Sequence, residues 1–338
     1  MERIVLALDV GGTKLAAGVV DATGTVHGFA RMPTAVERGP EPVLADLFTL
    51  GTRVLREAGR SADTLAGIGI SCGGPLDAAA GVVYGPPPNL PGWNRVPLTA
   101  AASEAFGRPA VLANDATAAA LGEYRFGDWG AGSLAYVTIS TGVGGGLVLG
   151  GRPFAGAVGN GGEPGHVLVD WRGRACACGA RGCAEAYLSG PSIARRALEA
   201  LAGTDEPSQL RRLDSVTAAD VSAAADAGDP VAARVWAETV QILGGWLAGL
   251  VNVWEPELVV LGGGVTRAGE RLLLAPVREL VRQLAMPAIA RRVEVVVSRS
   301  DDRSGVLGAA ALALAAAEDA EHTPGDSQLT SASEGPAA

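Results

Sequence analysis

Residues 159–185 read GNGGEPGHVLVDWRGRACACGARGCAE, a stretch that concentrates side chains able to bind a metal ion. It holds three of the four cysteines and one of the three histidines of the chain. Glycines among them let the backbone turn tightly enough to bring the sulfur atoms together. Three thiolates and one imidazole are a common tetrahedral ligand set for a structural zinc ion. The stretch therefore predicts a closed Zn2+ site with the ligands His166, Cys176, Cys178 and Cys183.

Three other roles for these cysteines are less favoured. Disulfides need an oxidising compartment, and the N-terminal sequence MERIVLALDVGG lacks the features of a secretory signal. Thiols packed among Gly, Ala and Arg would not form an apolar core. A catalytic zinc ion is a further alternative, but four protein ligands leave no open position for water.

The same stretch resembles the signature of the ROK family of sugar kinases and related repressors, GExGH followed after nine residues by CxCGxxGCxE. Here the two parts are GEPGH at 162–166 and CACGARGCAE at 176–185. Further motifs extend the resemblance from Asp9 to about Gly308. It implies an α/β, two-lobed actin/hexokinase-like (RNase H-like) ATPase fold with a cleft between the lobes. We expect an N-terminal lobe over 1–114, completed by a helix at 305–317, and a C-terminal lobe over 115–304. Residues 318–338 are polar and aperiodic, which is typical of a disordered tail.

The motif DVGGTK at 9–14 follows a buried strand and precedes a second strand. Gly11 and Gly12 allow backbone N–H groups to approach an anion closely, and Thr13 adds a hydroxyl. Asp9 could hold a magnesium ion through water. A plain hairpin turn is the alternative. The motif resembles the first phosphate-binding motif of actin/hexokinase-like kinases, which implies that Lys14 brings a positive charge near the phosphates.

A strand, a glycine loop and a returning strand occur again around STGVGGG at 140–146. This internal repetition predicts a duplicated architecture in which two loops face each other across a cleft. Thr141 and Gly142 resemble the second phosphate motif of these kinases. Gly262, Gly263 and Gly264 follow another buried strand and resemble the adenosine motif, although glycines at a strand-to-helix turn are weak evidence alone.

Asn114 and Asp115 lie where a short strand ends and an alanine-rich helix begins. A helix N-cap would by itself explain either residue. The family resemblance implies instead that Asp115 is the general base and Asn114 binds neighbouring sugar hydroxyls. A hydroxyl is a poor nucleophile until a positioned carboxylate accepts its proton.

Other residues are candidates for sugar contacts. Gly74 lies in a Gly–Pro loop that could approach a ligand by its backbone, and Asn89 and Trp93 lie in NLPGW at 89–93. An exposed tryptophan there could cover an apolar sugar face, or it could only pin a surface loop. The resemblance implies that Glu163, His166 and Glu185 line the sugar site, with His166 using one ring nitrogen for zinc and the other for a hydroxyl. For the two glutamates, plain surface charge is the alternative.

The resemblance implies MgATP-dependent phosphoryl transfer to a hexose, with the 6-hydroxyl of glucose favoured because NLxxW is similar to the family's glucokinases. Kinases for N-acetylmannosamine, N-acetylglucosamine, mannose or fructose stay open, as does polyphosphate as the donor. A sugar-responsive repressor is a remoter alternative. It would need a DNA-binding segment before the DVGGTK motif, and only eight residues precede Asp9.

The chain of 338 residues, 48% hydrophobic and 19% charged, has the composition of a soluble globular protein and is long enough for two domains. Its net charge of −9 argues against nucleic acid as a partner, because no basic surface would neutralise phosphates. No apolar run reaches the roughly 18 residues of a membrane span. We therefore expect a cytoplasmic protein without membrane contact, and a homo-oligomer, either a dimer or a tetramer.

Overall fold

The computed structural model describes residues 3–85, 90–157, 159–300 and 303–322. Its strands form two five-stranded sheets and a small two-stranded sheet. The strands are β1 (Ile4–Val10), β2 (Lys14–Asp21), β3 (Val26–Pro33), β4 (Gly67–Cys72), β5 (Leu76–Asp77), β6 (Val82–Val83), β7 (Ala110–Asn114), β8 (Ser133–Ile139), β9 (Val143–Leu149), β10 (Arg152–Pro153), β11 (Leu258–Gly262) and β12 (Glu294–Val297). The helices are α1 (Pro40–Glu57), α2 (Leu98–Phe106), α3 (Asp115–Phe126), α4 (Glu185–Leu188), α5 (Gly190–Ala202), α6 (Ala218–Asp226), α7 (Pro230–Trp254), α8 (Ala275–Leu284), α9 (Pro287–Ala290) and α10 (Ser304–His322).

The first sheet has the order β3-β2-β1-β4-β7, with β1, β4 and β7 parallel to one another. Strand β1 is apolar on both faces because helices cover both sides of the sheet. Its even-numbered residues from Ile4 to Val10 pack with α1, while Val5 and Ala7 pack with α10. The helix that completes this sheet thus comes from the far end of the chain.

The second sheet has the order β10-β9-β8-β11-β12. Alternate residues of β8 divide in the same way between two layers of helices. Val137 and Ile139 belong to a core built with α5, α6 and α7, while Leu134 and Tyr136 pack with α3. The repeated strand–loop–strand pattern of the sequence therefore corresponds to two similar sheets, as predicted. The exact lobe boundary at 114/115 stays a prediction.

Helices α3 and α10 lie between the sheets and contact each other at their backbones. A Cβ atom added to Gly308 would lie 2.5 Å from the Ala118 carbonyl oxygen, and one added to Gly122 would lie 2.9 Å from the Gly308 nitrogen. Real Cβ atoms do not approach backbone atoms this closely, so both positions require glycine.

Helix α10 is longer than the sequence indicated. The predicted helix ended at residue 317, but α10 continues to His322, so the predicted tail does not begin at 318. Ion pairs hold the added turn, because both Arg125 guanidinium NH groups donate to Glu318, at 3.0 and 2.6 Å, and Arg152 pairs with Asp319 at 2.9 Å. Residues 323–338 lie outside the described part of the chain.

Within the described residues, no helix combines the length and the apolar character needed to cross a lipid bilayer.

The backbone contact between α3 and α10 predicts that Gly308→Ala destabilises the protein. The new methyl group would force the helices apart, at a cost of about 1–3 kcal/mol typical of overpacking. Gly249→Ala in α7 is the matched control, since a Cβ there meets no atom within 4 Å. Thermal unfolding should show a lower Tm for Gly308→Ala only. Equal Tm values for the two variants would contradict the contact.

Candidate active site

The parallel strands of the first sheet bring three chain segments to one edge. In the register of the sheet, Asp9 pairs with Ser71, and Cys72 pairs with Asn114. Because all three strands end at this edge, the DVGGTK loop, the Gly73–Gly74 loop and the start of α3 meet there. The predicted grouping of these motifs thus follows directly from strand order.

A cavity of about 610 Å³ lies between this edge and the corresponding edge of the second sheet. It is lined by ten of the residues that the sequence singled out. From the first lobe and its border come Gly11, Gly12, Gly74, Asn114 and Asp115; from the second come Thr141, Gly142, Glu163, His166 and Glu185. Asp115 and His166, which are 51 positions apart in the chain, therefore share one hollow. Their roles in binding and catalysis stay predictions.

Other predicted residues do not line this cavity. Asp9, Thr13 and Lys14 lie in or beside the DVGGTK loop but outside the cavity wall, where only Val10, Gly11 and Gly12 contribute. Asn89 lies outside the described residues.

The prediction of an exposed tryptophan over the sugar was wrong. The Trp93 side chain has 0% exposure and packs in the core of the first lobe, beside the buried Leu90 and Val96. The local sequence NLPGW carries no periodicity that could show which way the indole points.

Asp115 begins α3, and Asn114 is its N-cap. The Asn114 side-chain oxygen accepts a hydrogen bond from the Ala116 N–H at 2.9 Å, and Asp115 Oδ1 accepts from the same group at 2.8 Å. Asn114 is therefore a helix N-cap, as one interpretation of the sequence predicted, and it also lines the cavity. The Asp115 side chain opens onto the cleft, yet the protein around it displaces much of its water. This desolvation raises the pKa of Asp115, although the Ala116 N–H opposes the shift.

Asp9 is the second carboxylate of this region. The pKa of Asp9 is raised to about 6. Burial is the main cause of this shift and the nearby Asp115 charge adds to it, while the Ser71 hydroxyl and Lys14 oppose it. Ser71 Oγ donates to Asp9 Oδ1 at 3.0 Å. Gly305, in the first turn of α10, is so close to the Asp9 carboxylate that a side chain there would collide with it. Asp9 is thus held between the sheet edge and the start of the last helix.

A second cavity of about 770 Å³ opens next to the first, and Ser140 and Thr141 line both. Its walls are mainly small apolar residues with a few polar ones. They include Pro191, Ala194, Val216, Thr217, Ala218, Ser222, Gly264, Val265, Arg267 and Leu272. Of the predicted adenosine motif, Gly264 lines this cavity, while Gly262 and Gly263 lie just before it in the chain. No motif pointed to the residues of α6, because the alanines there carry no chemistry of their own.

The four predicted metal ligands meet at one point. The Nδ1 atom of His166 and the sulfur atoms of Cys176, Cys178 and Cys183 all lie within 4.8 Å of one another. Cys178 and Cys183 are 3.7 Å apart at sulfur, and Cys176 Sγ is 3.8 Å from His166 Nδ1. Zinc–sulfur bonds of about 2.3 Å in a tetrahedron place sulfur atoms about 3.8 Å apart, so the arrangement fits a zinc ion.

Backbone geometry explains why this cluster forms. Gly179 and Gly182 have φ values of 91° and 83°, in the region that favours glycine, and a side chain at Gly182 would collide with the Asp170 carbonyl. Burial raises the pKa of Cys176 and Cys183, whereas a backbone hydrogen bond from Ala180 lowers the pKa of Cys178. A cation bound among these sulfur atoms would stabilise their thiolate forms.

Glu185 connects the cysteine cluster to the glycine loop. Its Oε2 accepts a hydrogen bond from the Val143 N–H at 3.0 Å, and its Oε1 lies 3.7 Å from Cys176 Sγ. Glu185 therefore lines the cavity with a carboxylate that already holds the loop carrying Thr141 and Gly142. The Glu163 side chain faces the open cleft, but the surrounding protein displaces part of its water. This desolvation raises the pKa of Glu163, and His166 opposes the shift while Asp115 and Glu185 add to it.

Comparison with known proteins finds sugar kinases among the relatives of this chain. The ROK family model matches residues 5–316. Glucokinase of Thermotoga maritima is 34% identical over 319 residues, which cover 91% of this chain and 96% of that enzyme. N-acetylmannosamine kinase of Escherichia fergusonii is 33% identical over 308 residues, covering 91% and 97%. The crystal structure of a ROK family glucokinase from Streptomyces griseus in complex with glucose and AMPPNP has a TM-score of 0.75 and 32% identity, with 92% of this chain and 99% of that chain covered.

The two sheets and the cleft between them define the class: this is the actin/hexokinase-like α/β fold of the sugar kinases, as predicted. Within that class, the chain belongs to the ROK family.

Removal of one thiolate should release the metal. We expect Cys178→Ser to lose zinc from about one ion per chain, because a structural site needs all four ligands, and to weaken hexose binding through His166. Zinc content is measured by elemental analysis of the purified protein, and hexose binding by calorimetry. Cys72→Ser is the control for zinc content, since Cys72 is buried in the first lobe and is not one of the four clustered residues. Zinc retained in Cys178→Ser would contradict the metal site, and a metal-free Cys178→Ser protein with unchanged hexose affinity would contradict the link through His166.

Proposed function

We propose that this protein is an ATP-dependent hexose kinase that phosphorylates the 6-hydroxyl of glucose. The observation that carries the proposal is the shared cavity. Asp115, Glu163 and His166 lie in one hollow, and that hollow joins a second, mostly apolar cavity at Ser140 and Thr141. A hexose in the first cavity and a nucleotide in the second would meet at the glycine loop.

In the proposed reaction Asp115 accepts the proton of the sugar hydroxyl as the oxygen forms its bond to the γ-phosphorus. The bond from that phosphorus to the β,γ-bridging oxygen breaks, and ADP leaves. Backbone N–H groups at Gly12 and Gly142 would hold the phosphates, with Thr13 and Thr141 adding hydroxyls and Lys14 a charge. The Gly11 N–H instead closes the turn, because it donates to the Lys14 carbonyl oxygen at 3.0 Å. Magnesium, when bound with ATP near Asp9, neutralises part of the phosphate charge.

In the proposed sugar site, polar side chains form hydrogen bonds with the hydroxyls of the ring. Asn114 would hold a hydroxyl next to the reacting one, and Glu163 and His166 would hold others. His166 Nδ1 faces the metal cluster, which leaves Nε2 for the sugar. A ring held this way from several sides keeps its reacting oxygen within reach of Asp115, and closure of the lobes would exclude water as a competing acceptor.

The choice of glucose rests on the relatives rather than on a contact. Glucokinases and an N-acetylmannosamine kinase are similar to this chain at nearly the same identity. A panel of glucose, mannose, fructose, N-acetylglucosamine and N-acetylmannosamine, each assayed with ATP and with polyphosphate, decides between them. The proposal expects the highest kcat/KM for glucose with ATP. Preference for an N-acetylated sugar would make that sugar the proposed substrate in place of glucose. The absence of turnover with every hexose would contradict the proposed kinase activity.

Asp115→Ala should lower kcat by about 100- to 10,000-fold, the usual contribution of a general base. Glucose affinity measured by calorimetry should change little, because other residues hold the ring. The control is Asp205→Ala, which removes an exposed aspartate outside both cavities. Retained turnover in Asp115→Ala would remove the assignment of the base.

The raised pKa values predict loss of activity on the acid side. Asp115 must be ionised to accept a proton, and Asp9 must be ionised to attract magnesium. Burial raises the pKa of both, to about 6 for Asp9, so each carboxylate takes up a proton at a higher pH than an ordinary aspartate. We therefore expect kcat/KM to fall as the pH drops through about 6. A profile that stays flat from pH 8 to pH 5 would show that neither group titrates there.

A further inference from the structure

One side chain of the 159–166 segment has no role in the function proposed above. The Asn160 amide makes two hydrogen bonds to the backbone of Leu76, which is 84 positions earlier in the chain. Its Nδ2 donates to the Leu76 carbonyl oxygen at 2.9 Å, and its Oδ1 accepts from the Leu76 N–H at 3.3 Å. Leu76 is fully buried in the core of the first lobe, so this bond pair fastens the segment to a rigid part of that lobe.

The neighbouring glycine strengthens this attachment. Gly159 has a φ of 85°, and a Cβ added to it would lie 2.8 Å from the Ala78 Cβ. The backbone of the segment therefore lies directly against the β5–β6 hairpin, with no room for a side chain between them.

The other end of the same segment is fastened to the second lobe. The Trp246 indole donates to the Pro164 carbonyl oxygen at 3.1 Å, and a side chain at Gly165 would collide with the Val143 carbonyl of β9. His166, the last residue of the segment, belongs to the cysteine cluster. Glu163, which faces the cleft, thus lies between Asn160, which is attached to the first lobe, and Pro164, which is attached to the second.

Asn160 also borders the loop of the first lobe that faces the sugar cavity. A Cβ added to Gly74 would lie 3.5 Å from Asn160 Oδ1 and 3.3 Å from Asn114 Nδ2. Asn160 itself lines the cavity that holds Asp115 and His166. The distance between the Asp115 side and the Glu163 side of that cavity therefore depends on where Asn160 holds the two loops.

We propose that Asn160 is a positioning residue for the hexose: its amide joins the 73–76 loop of the first lobe to the metal-anchored 159–166 segment, and so sets the width of the sugar cavity. The inference rests on the proposed hexose kinase function. The bond pair needs one donor and one acceptor on a short side chain, which asparagine supplies and aspartate does not, because a carboxylate cannot donate to the Leu76 carbonyl.

The nucleotide cavity should not respond to a change at this position. Its walls come from 140–141, 190–194, 216–226 and 264–272, and Asn160 is not among them. A loss of the attachment should therefore raise the KM for the hexose and spare the KM for ATP. A general loss of stability would affect both.

The test compares Asn160→Ala and Asn160→Asp with Asn252→Ala. Asn252 is the matched control, because it is exposed and its side chain also accepts a backbone N–H, from Met286. For Asn160→Ala, the loss of two hydrogen bonds predicts a KM for the hexose about tenfold higher, with the KM for ATP within about twofold of wild type. Asn160→Asp keeps the acceptor but not the donor and should change the same parameter in the same direction. If Asn160→Ala does not fold, the hexose KM of Asn160→Asp tests the proposal instead.

Hydrogen exchange at the Leu76 amide gives a readout that needs no activity. The exchange rate should rise in Asn160→Ala and stay unchanged in Asn252→Ala, while zinc content remains that of wild type. If the wild-type protein phosphorylates no hexose, the proposed function fails, and the exchange rate still decides whether the attachment exists. Unchanged hexose KM in an active protein, or an equal rise in both KM values, would overturn the positioning role.

Discussion

The backbone contact between α3 and α10, together with the strand order of the first sheet, positions Asp9 and Asp115. Helix α3 packs on the second sheet and begins at Asp115, and helix α10 packs on the first sheet and begins beside Asp9. Because Gly122 and Gly308 let these helices touch, the starts of both helices lie at the same edge of the molecule as the ends of the parallel strands. The first sheet places Asp9 and the start of α3 two strands apart, and the helix contact fixes the directions of α3 and α10 beside them. A larger residue at either glycine would change the geometry of the site from a distance.

The cleft that results is rich in negative charge. Asp115 raises the pKa of Asp9 and of Glu163, and Lys14 opposes this at Asp9. Such a surface suits a neutral sugar whose hydroxyls donate to carboxylates, and it attracts a divalent cation. It does not by itself attract a polyphosphate. In the proposed reaction, the phosphates must instead be held by backbone N–H groups, by Lys14 and by magnesium, which agrees with glycine loops on both sheets at the edge of the cavity.

The sequence predicted the parts of the site that are encoded locally. The four predicted metal ligands lie within 18 residues, and Asp115 stands at a strand-to-helix junction, so short motifs were sufficient to single out residues that the fold brings together. The parts it missed depend on distant partners. Asn160 has no visible role until Leu76 is placed beside it, and the last turn of α10 is stabilised by Arg125 and Arg152 from elsewhere in the chain. Trp93 was misjudged for the same reason, since only the packed lobe shows that the indole points inward.

The two halves of the cleft differ in how firmly they are built. The cavity proposed for the sugar is connected in two places: Glu185 joins the cysteine cluster to the glycine loop, and Asn160 joins the 159–166 segment to the opposite lobe. The cavity proposed for the nucleotide has walls of small apolar residues from a single lobe, with a few polar residues among them. For the proposed hexose kinase, selection among sugars that differ at one hydroxyl requires polar groups held in fixed positions, whereas an adenine ring needs only a flat apolar space. The predicted metal ligands and the interlobe hydrogen bonds of Asn160 lie on the side where the proposal puts that selection.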